Sequence, residues 1–331
     1  MKIQILDDWY DTLRGLPSFA MLKDHEVTVC QDNVTDPALL AERLADADVV
    51  VLFRDRTAIT SDIAARLTGP KLVAMRGQYG HVAVDALTQA GVLFCSRMSK
   101  DGPSLSTAEL AFGQIIAALR YLPEQIASVR AGHWQGAAPV GRNVSGKVLG
   151  LYGYGGIAQV LARFADAFGM PVVVWASEAG QERAKADGRT VASSRRAFFA
   201  ECDVISIHKR LTRETRGEIV QSDLMAMKPE SVLVNTSRAG LIAEGAVLAA
   251  LTAGRIGRAA LDVFENEPAT PDNDALIAHP NVIATPHIGF VTAEELDRQF
   301  QDIYTVVNAY AAGQPTDMIN PEVWAKLQAA K

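Results

Sequence analysis

The segment from Leu149 to Ala158, LGLYGYGGIA, constrains the fold of this chain more than any other feature. An apolar run leads into a glycine-rich turn with the spacing G-x-G-x-x-A, and a pattern typical of an amphipathic helix follows from Ile157 to Phe168. Strand, glycine turn and helix in this order predict a dinucleotide-binding βα unit. Gly153 would permit the tight turn, Gly155 would let the backbone approach a pyrophosphate, and the amides at the helix start would hold the phosphates.

Composition favours a soluble globular protein that binds small molecules. The chain has 331 residues, of which 49% are hydrophobic and 21% charged, which is enough for about two domains. Its formal net charge of −6 argues against a nucleic-acid surface, which would need a basic excess. The sequence predicts no metal site.

The cysteines and the N-terminus indicate a cytoplasmic protein. Cys30, Cys95 and Cys202 are few, far apart and odd in number, so we interpret them as buried free thiols in a reducing compartment. The N-terminal residues MKIQILDDWY do not form a secretion signal, and no uncharged run approaches the length of a membrane span. We therefore expect neither export nor membrane insertion.

Short apolar runs alternate with helical patterns along the chain, which is typical of parallel α/β sheets. The first set of predicted strands comprises Ile3 to Leu6, Val27 to Cys30, Val49 to Phe53, Leu72 to Met75 and Val92 to Cys95. A long helix from Leu105 to Leu122 follows. The second set comprises six strands: Val148 to Tyr152, Val172 to Trp175, Val204 to Ile207, Val232 to Asn235, Ala259 to Val263 and Val282 to Ala284. A last helix, Ala293 to Ala312, has no strand partner in this second sheet and is expected to return to the first.

Three polar residues follow strands of the second set, at the edge where an open α/β sheet binds its ligand. They are Arg238 in NTSRAG, Glu267 in LDVFENEP and His287 in TPHIGF. An arginine can grip a carboxylate in bidentate fashion, and a histidine can move a proton to or from a carbonyl oxygen. Each residue alone is more often an ordinary loop residue, but the three together downstream of a dinucleotide turn predict a keto-acid site.

The chain resembles the D-isomer-specific 2-hydroxyacid dehydrogenase family along nearly its whole length, on the segments LGLYGYGGIA, DVISIH with LTRETRG, MKPESVLVNTSRAGLI, AALDVFENEP and NVIATPHIGF. The resemblance implies that Arg238 binds substrate, His287 is the acid/base and Glu267 is its partner carboxylate. It also implies that the loop containing Gly77, Gln78 and Tyr79 binds substrate through its backbone amides. The cofactor residues it implies, together with those of the glycine turn and its surroundings, are Thr107, Gly153, Gly155, Gly156, Ile157, Ser177, Lys209, Arg210, Thr236, Ser237, Asp262 and Gly289.

The same resemblance implies an α/β fold of two Rossmann-like or flavodoxin-like domains, each a doubly wound parallel sheet, with a cleft between them. A discontinuous substrate domain would comprise residues 1–104 and 294–331, and an NAD(P)-binding domain would comprise residues 105–293. A homodimer built on the helix from Leu105 to Leu122 is also implied.

The choice between NAD and NADP depends on two departures from the family pattern. Ala176 stands where an acidic residue normally binds the adenosine ribose, and Ser177 and Glu178 come after it without a neighbouring arginine. Lys209 and Arg210 replace the usual apolar residues after His208, which favours NADP unless their heads lie in solvent. On balance this pattern favours NAD.

We therefore predict hydride transfer between a nicotinamide cofactor and a small 2-keto or 2-hydroxy acid, of the glyoxylate or hydroxypyruvate kind. Tyr79 is expected to narrow the pocket, and His81, which comes directly after the substrate loop, is expected to face solvent. A nicotinamide-sensing protein similar to transcriptional co-repressors and a phosphite dehydrogenase on the same scaffold are the alternatives.

Overall fold

A computed structural model describes residues 1–98, 102 and 104–329. The chain forms two compact units by internal contacts, Met1–Gly102 with Thr292–Lys331 and Pro103–Val291. Among the described residues, no helix is both long enough and apolar enough to cross a membrane.

The strands of the described residues are short and mostly buried. In chain order they are β1 (Lys2–Ile5), β2 (Glu26–Val29), β3 (Val49–Val51), β4 (Leu72–Arg76), β5 (Leu93–Arg97), β6 (Leu149–Tyr152), β7 (Val172–Trp175), β8 (Thr190–Val191), β9 (Val204–Ile207), β10 (Val232–Asn235), β11 (Arg258–Leu261) and β12 (Val282–Ala284).

Helices connect these strands. In chain order they are α1 (Pro37–Leu44), α2 (Ser61–Arg66), α3 (Val84–Gln89), α4 (Leu105–Arg120), α5 (Leu122–Arg130), α6 (Gly156–Ala167), α7 (Glu178–Ala186), α8 (Arg195–Glu201), α9 (Gln221–Met225), α10 (Ala246–Thr252), α11 (Ala275–Ala278), α12 (Ala293–Ala311) and α13 (Pro321–Ala329).

Each unit contains one parallel sheet. The first has the order β2-β1-β3-β4-β5, and the second has the order β12-β11-β10-β9-β6-β7-β8. The paired strands are parallel in both sheets. These are the strand orders of the flavodoxin-like and dinucleotide-binding doubly wound folds, so the predicted fold class is confirmed.

The strand sequences explain why the sheets are parallel. β3 reads VVV, β9 reads VISI and β10 reads VLVN, and every residue in these strands is buried. Strands that are apolar on both faces need helices on both sides, which the crossover connections of a parallel sheet supply. In the second sheet the strand order reverses direction between β6 and β9, and such a switch point is where an open α/β sheet binds its ligand.

The second unit differs from the sequence prediction in three places. The helix predicted from Leu105 to Leu122 is broken, because Tyr121 adopts a left-handed conformation (φ 52°) and separates α4 from α5. The described part of this sheet has seven strands instead of six, because the two-residue β8 extends its edge. α7 was missed because its sequence, EAGQERAKA, is mainly polar and lacks a clear apolar stripe.

The C-terminal segment belongs to the first sheet's unit. α12 packs against the 3₁₀ helix Pro17–Leu22 and against β4. The side-chain amide of Asn320 accepts a hydrogen bond from Phe94 N at 2.7 Å and donates one to Val92 O at 3.1 Å. These bonds fix the chain end to β5, the edge strand of that sheet.

Candidate active site

The glycine-rich turn after β6 has the geometry that a dinucleotide requires. Gly153 has a φ of 94°, and a Cβ at this position would lie 2.4 Å from the carbonyl oxygen of His208, so only glycine fits. Gly155 is extended, and a Cβ there would meet nothing within 4 Å. α6 begins at Gly156, and Ala158 is fully buried against the sheet. The open backbone at Gly155 and the start of α6 therefore fit a bound pyrophosphate.

The segment after β7 lies where the adenosine ribose would bind. Ala176 is followed by the exposed Ser177, which is the residue before the first turn of α7 and makes no side-chain cap. The carbonyl of Ala176 accepts a hydrogen bond from Gln181 Nε2 at 2.9 Å, which ties the start of α7 to the strand end. No acidic side chain occupies position 176.

Lys209, one of the two cations after β9, is held by an acidic partner. Lys209 Nζ lies 2.6 Å from both carboxylate oxygens of Glu218. The Tyr152 hydroxyl also donates to Glu218, at 2.5 Å. Burial raises the pKa of Glu218, but the hydrogen bonds from Lys209 and Tyr152 outweigh this and lower it. Arg210 is exposed. The ammonium of Lys209 is thus engaged within the protein.

Arg238 follows β10 in a turn that a buried amide organises. Asn235 donates from Nδ2 to the carbonyl of Arg238 at 3.0 Å and accepts from Ser237 N at 3.0 Å. Ser237 Oγ donates to Ile207 O at 2.7 Å, which links the turn to the neighbouring strand β9. Arg238 is half-buried, and its Nη1 donates to the carbonyl of Ser237 at 2.7 Å. Thr236 is buried in the same turn.

Asp262, directly after β11, anchors the loop that carries His287. Its Oδ1 accepts from Thr285 Oγ1 at 2.5 Å and from Ile288 N at 2.9 Å, and its Oδ2 accepts from Gly289 N at 2.8 Å. Burial raises the pKa of Asp262, and these hydrogen bonds oppose the rise. Thr107 Oγ1 donates to Gly289 O at 2.9 Å, so α4 also holds this loop.

His287 and Glu267 form a directly bonded pair. His287 Nδ1 lies 2.7 Å from Glu267 Oε2, and Glu267 Oε1 accepts a hydrogen bond from Phe264 N at 2.9 Å. The side chain of His287 is 19% exposed and that of Glu267 is 32% exposed, so the pair is accessible from solvent. His287 has a left-handed backbone (φ 53°), and its ring packs edge-on against Phe290 at 5.8 Å. With Nδ1 on the carboxylate, Nε2 is the ring nitrogen left to exchange a proton with a ligand.

The parallel register brings the three predicted catalytic residues to one edge of the sheet. Asn235 at the end of β10 pairs with Leu261 of β11, and Leu261 pairs with Ala284 of β12. The loops after these strands carry Arg238, Glu267 and His287. The glycine turn leaves the carboxyl end of β6, on the same edge.

The predicted substrate loop belongs to the other unit. Gly77 has a φ of 97°, donates to Arg97 O at 3.0 Å and accepts from Ser96 Oγ at 2.7 Å. Gln78 is exposed. The half-buried ring of Tyr79 packs edge-on against Phe94 of the core at 5.4 Å, and Tyr79 also lines a cavity of this unit together with Gln78 and Val82. That Tyr79 narrows a substrate pocket stays a prediction.

The expectation that His81 faces solvent is wrong. His81 Nε2 is buried and has no hydrogen-bond partner among the described residues. Burial also lowers the pKa of His81. The residue as a whole is half-buried, and its backbone carbonyl accepts a hydrogen bond from Ile59 N at 3.1 Å.

Sequence reasoning missed three residues that shape this edge. Asn235 organises the Arg238 turn, and Thr285 carries the bond to Asp262 and accepts another from Gln114 Nε2 at 2.9 Å. Asn235 ends the buried strand β10 and Thr285 directly follows the apolar strand β12, and a polar residue at a strand end is the signal that could have found them. Arg183 is the third: it lies on α7 and donates to Tyr154 O from Nη2 at 3.1 Å and from Nε at 3.3 Å.

Known proteins that are similar to this chain include dehydrogenases and reductases. The family model described as D-isomer specific 2-hydroxyacid dehydrogenase, NAD binding domain, matches residues 112–289. D-3-phosphoglycerate dehydrogenase of Bacillus subtilis is 34% identical over 94% of this chain and 58% of its own length. Hydroxypyruvate reductase of Thermotoga maritima is 32% identical over 83% of this chain and 88% of its own length. The crystal structure of phosphoglycerate oxidoreductase from Vibrio cholerae has a TM-score of 0.90 at 41% identity and covers 94% of this chain and 99% of that one.

This chain thus spans only a little more than half of the Bacillus enzyme's length, 58%, and most of the Thermotoga enzyme's, 88%.

Proposed function

The chain belongs to the D-isomer-specific 2-hydroxyacid dehydrogenase family, and from this premise we propose that it reduces a small 2-keto acid to the D-2-hydroxy acid with a nicotinamide cofactor. The observation that carries the proposal is the bonded pair of His287 and Glu267, with 2.7 Å between Nδ1 and Oε2, on the same sheet edge as Arg238 and the glycine turn. A proton donor, a carboxylate that orients it and a cation for the substrate are what reduction of a keto acid needs from the protein.

The three residues have different roles. Arg238 binds the substrate carboxylate and polarises the carbonyl through its planar guanidinium. His287 donates a proton from Nε2 to the carbonyl oxygen, and takes it back in the oxidative direction. Glu267 accepts from His287 Nδ1, which orients the ring and stabilises the imidazolium before proton transfer.

The residues around the glycine turn hold the dinucleotide, NAD or NADP, which supplies the hydride when bound. The amides at the start of α6, from Gly155 to Ile157, bind the pyrophosphate. Asp262 contacts the nicotinamide carboxamide while its other bonds hold the loop that carries His287. Further residues proposed to line the cofactor are Thr107, Thr236, Ser237 and Gly289.

We propose glyoxylate or hydroxypyruvate as substrates. The similarity to the hydroxypyruvate reductase of Thermotoga supports this size class, and this chain spans 88% of that protein. The phosphoglycerate dehydrogenase relative makes the phosphorylated analogue the main competitor. Substrate binding by Gly77, Gln78 and Tyr79 stays a prediction.

The experiment measures initial rates of NADH and NADPH oxidation with glyoxylate, hydroxypyruvate, phosphohydroxypyruvate and pyruvate. His287→Asn is expected to lower kcat about 10²- to 10⁴-fold, the usual contribution of general acid-base catalysis. His133→Asn is the matched control, because His133 is exposed in a loop of the same unit. A near-normal rate for His287→Asn, or no turnover of any keto acid by a wild-type protein that binds the cofactor, would contradict the proposal. The second result would favour a sensor or a phosphite dehydrogenase.

We also propose a homodimer, formed through α5 rather than through α4, the helix that makes up nearly all of the predicted helix from Leu105 to Leu122. Three apolar residues at helical spacing on this helix are exposed, Leu122, Ile126 and Val129, and Trp134 and Val140 nearby are 83% and 93% exposed. An apolar patch of this kind is typical of a contact with a second copy. Ile126→Glu is expected to shift the protein from dimer to monomer in light scattering, whereas Leu39→Glu, on the exposed face of α1, is expected to leave it unchanged. A monomeric wild type would refute the dimer and leave the reaction untouched.

A further inference from the structure

We propose that Arg183 binds the 2′-phosphate of NADP and makes this chain prefer NADP over NAD. The proposal rests on the proposed function, since it places a residue at the adenosine end of the same cofactor site. The NAD preference argued from the sequence depended on the lack of an arginine beside Ala176 along the chain. The structure brings one there from the second turn of α7, a helix that the sequence pattern did not predict.

The guanidinium of Arg183 lies at the glycine turn. Its Nη2 and Nε both donate to the carbonyl of Tyr154, at 3.1 and 3.3 Å, and Tyr154 is the residue between Gly153 and Gly155. The arginine is therefore tied to the loop that approaches the cofactor phosphates. Because both bonds go to one oxygen, other N–H groups of its five are left to donate to a ligand.

Position 176 and the guanidinium of Arg183 both lie close to Gly180. A Cβ at Gly180 would lie 2.7 Å from Ala176 Cβ and 3.7 Å from Arg183 Nη2. A side chain at position 180 would therefore clash with Ala176, and glycine there lets the first turn of α7 pack against the end of β7. An acidic residue at position 176 would bind the ribose hydroxyls and would pair with Arg183, whereas alanine offers no carboxylate to either group.

The charges around Arg183 fit an anion that comes from a ligand. Among the residues that the structure describes, no carboxylate forms an ion pair with Arg183. Another cation of the same helix does form an ion pair, because Lys185 Nζ lies 2.8 Å from Glu182 Oε1. A 2′-phosphate carries about −1.5 to −2 charges and accepts several hydrogen bonds, which suits a planar guanidinium.

Two other charged residues are weaker candidates for this role. Lys209, which the sequence suggested for NADP, has its ammonium 2.6 Å from both oxygens of Glu218. Glu178 begins α7 and is exposed, so it is the group that could bind the ribose hydroxyls of NAD instead. Binding by Arg183 would favour a phosphate at the 2′ position, and binding by Glu178 would favour a hydroxyl there. The relative affinities for NADP⁺ and NAD⁺ therefore separate the two roles.

The test is isothermal titration calorimetry of NADP⁺, NAD⁺ and adenosine 2′,5′-bisphosphate with the wild type and with Arg183→Gln, Arg183→Lys and Arg196→Gln. We expect the wild type to bind NADP⁺ more tightly than NAD⁺. Arg183→Gln should weaken NADP⁺ and the bisphosphate by about 10- to 100-fold, the usual effect of losing charge-assisted hydrogen bonds, and should change NAD⁺ much less. Arg183→Lys should retain part of the affinity. Arg196, exposed on α8, is the matched control and should behave as the wild type.

A second variant tests the role of position 176. Ala176→Asp should lower the affinity for NADP⁺, because the new carboxylate pairs with Arg183 and repels the phosphate, while NAD⁺ binding is maintained or improved.

The outcomes are distinguishable. Tighter binding of NAD⁺ by the wild type overturns the inference and leaves the proposed function in place. Equal weakening of both dinucleotides in Arg183→Gln also overturns it, because the arginine then acts only on the Tyr154 carbonyl. A folded wild type that binds neither dinucleotide overturns the proposed function and this inference with it.

Discussion

Replacement of Gly153 by alanine is expected to destabilise the dinucleotide-binding unit itself, beyond any loss of cofactor. Gly153 has a φ of 94°, and an added Cβ would lie 2.4 Å from the carbonyl oxygen of His208. The atom that the new Cβ would meet belongs to the backbone of His208. That backbone is fixed, because His208 N donates to Tyr152 O at 2.8 Å and so continues the pairing of β9 with β6. The oxygen therefore cannot move aside without breaking the sheet at its switch point.

The magnitude is the sum of two costs. A side chain in the left-handed region costs about 1–2 kcal/mol, and forcing a methyl group into a filled space costs about 1–3 kcal/mol. Together they lower the free energy of unfolding by about 2–5 kcal/mol. For a unit of this size that corresponds to a fall in Tm of about 4 to 20 °C.

Gly155→Ala is the matched control, because its backbone is extended and an added Cβ would meet nothing within 4 Å. This variant should keep the wild-type Tm and bind NADH and NADPH at least about tenfold more weakly, since its methyl group would occupy the path of the pyrophosphate. Differential scanning calorimetry and fluorescence titration with both reduced cofactors measure the two effects. An unchanged Tm for Gly153→Ala would refute the steric argument, and normal cofactor binding by Gly155→Ala would refute the placement of the pyrophosphate.

Three further predictions concern the site and its pH dependence. Asp262→Asn places an amide N–H against the backbone N–H of Ile288 or Gly289, so it should lower the free energy of unfolding by about 1–3 kcal/mol and reduce kcat/KM. The control variant Asp272→Asn changes an exposed residue and should alter neither quantity. Equal urea unfolding curves for the two variants would contradict this prediction. Glu267→Gln should lower kcat by about 10²-fold with a smaller change in KM, and an unchanged kcat in steady-state kinetics would show that the pair is not needed. Burial lowers the pKa of His208 to about 4, below its value of about 6.5 in an unfolded chain, so its contribution to stability is complete above pH 6.5 or so and is lost as the pH falls toward 4. As the pH falls from about 6.5 to about 4, the free energy of unfolding should therefore fall less in His208→Gln than in the wild type, by up to about 3 kcal/mol. The same pH dependence of the free energy of unfolding in both proteins would refute the lowered pKa of His208.

Local patterns in the sequence predicted the sheets and the candidate catalytic residues. Apolar runs such as VVV and VISI mark strands buried on both faces, and the glycine spacing after β6 marks a turn that only glycine can make. Arg238, Glu267 and His287 were found because each comes after an apolar strand, and parallel strands bring the loops at their carboxyl ends to one edge of the sheet. The strands and the glycine turn depend on neighbours along the chain, so the sequence alone was sufficient to predict them, whereas the roles of the three polar residues stay predictions.

The tertiary structure decided which charged groups are engaged within the protein. Lys209 pairs with Glu218, nine residues away across a loop, and Asp262 holds backbone amides more than twenty residues further on. Arg183 reaches the glycine turn from α7, a polar helix without the apolar periodicity that reveals amphipathic helices. Such pairings depend on how the helices and strands pack and on side-chain rotamers, because a charge acts mainly on groups within a few ångströms. The order of residues along the chain does not give the distances between side chains that are far apart in sequence.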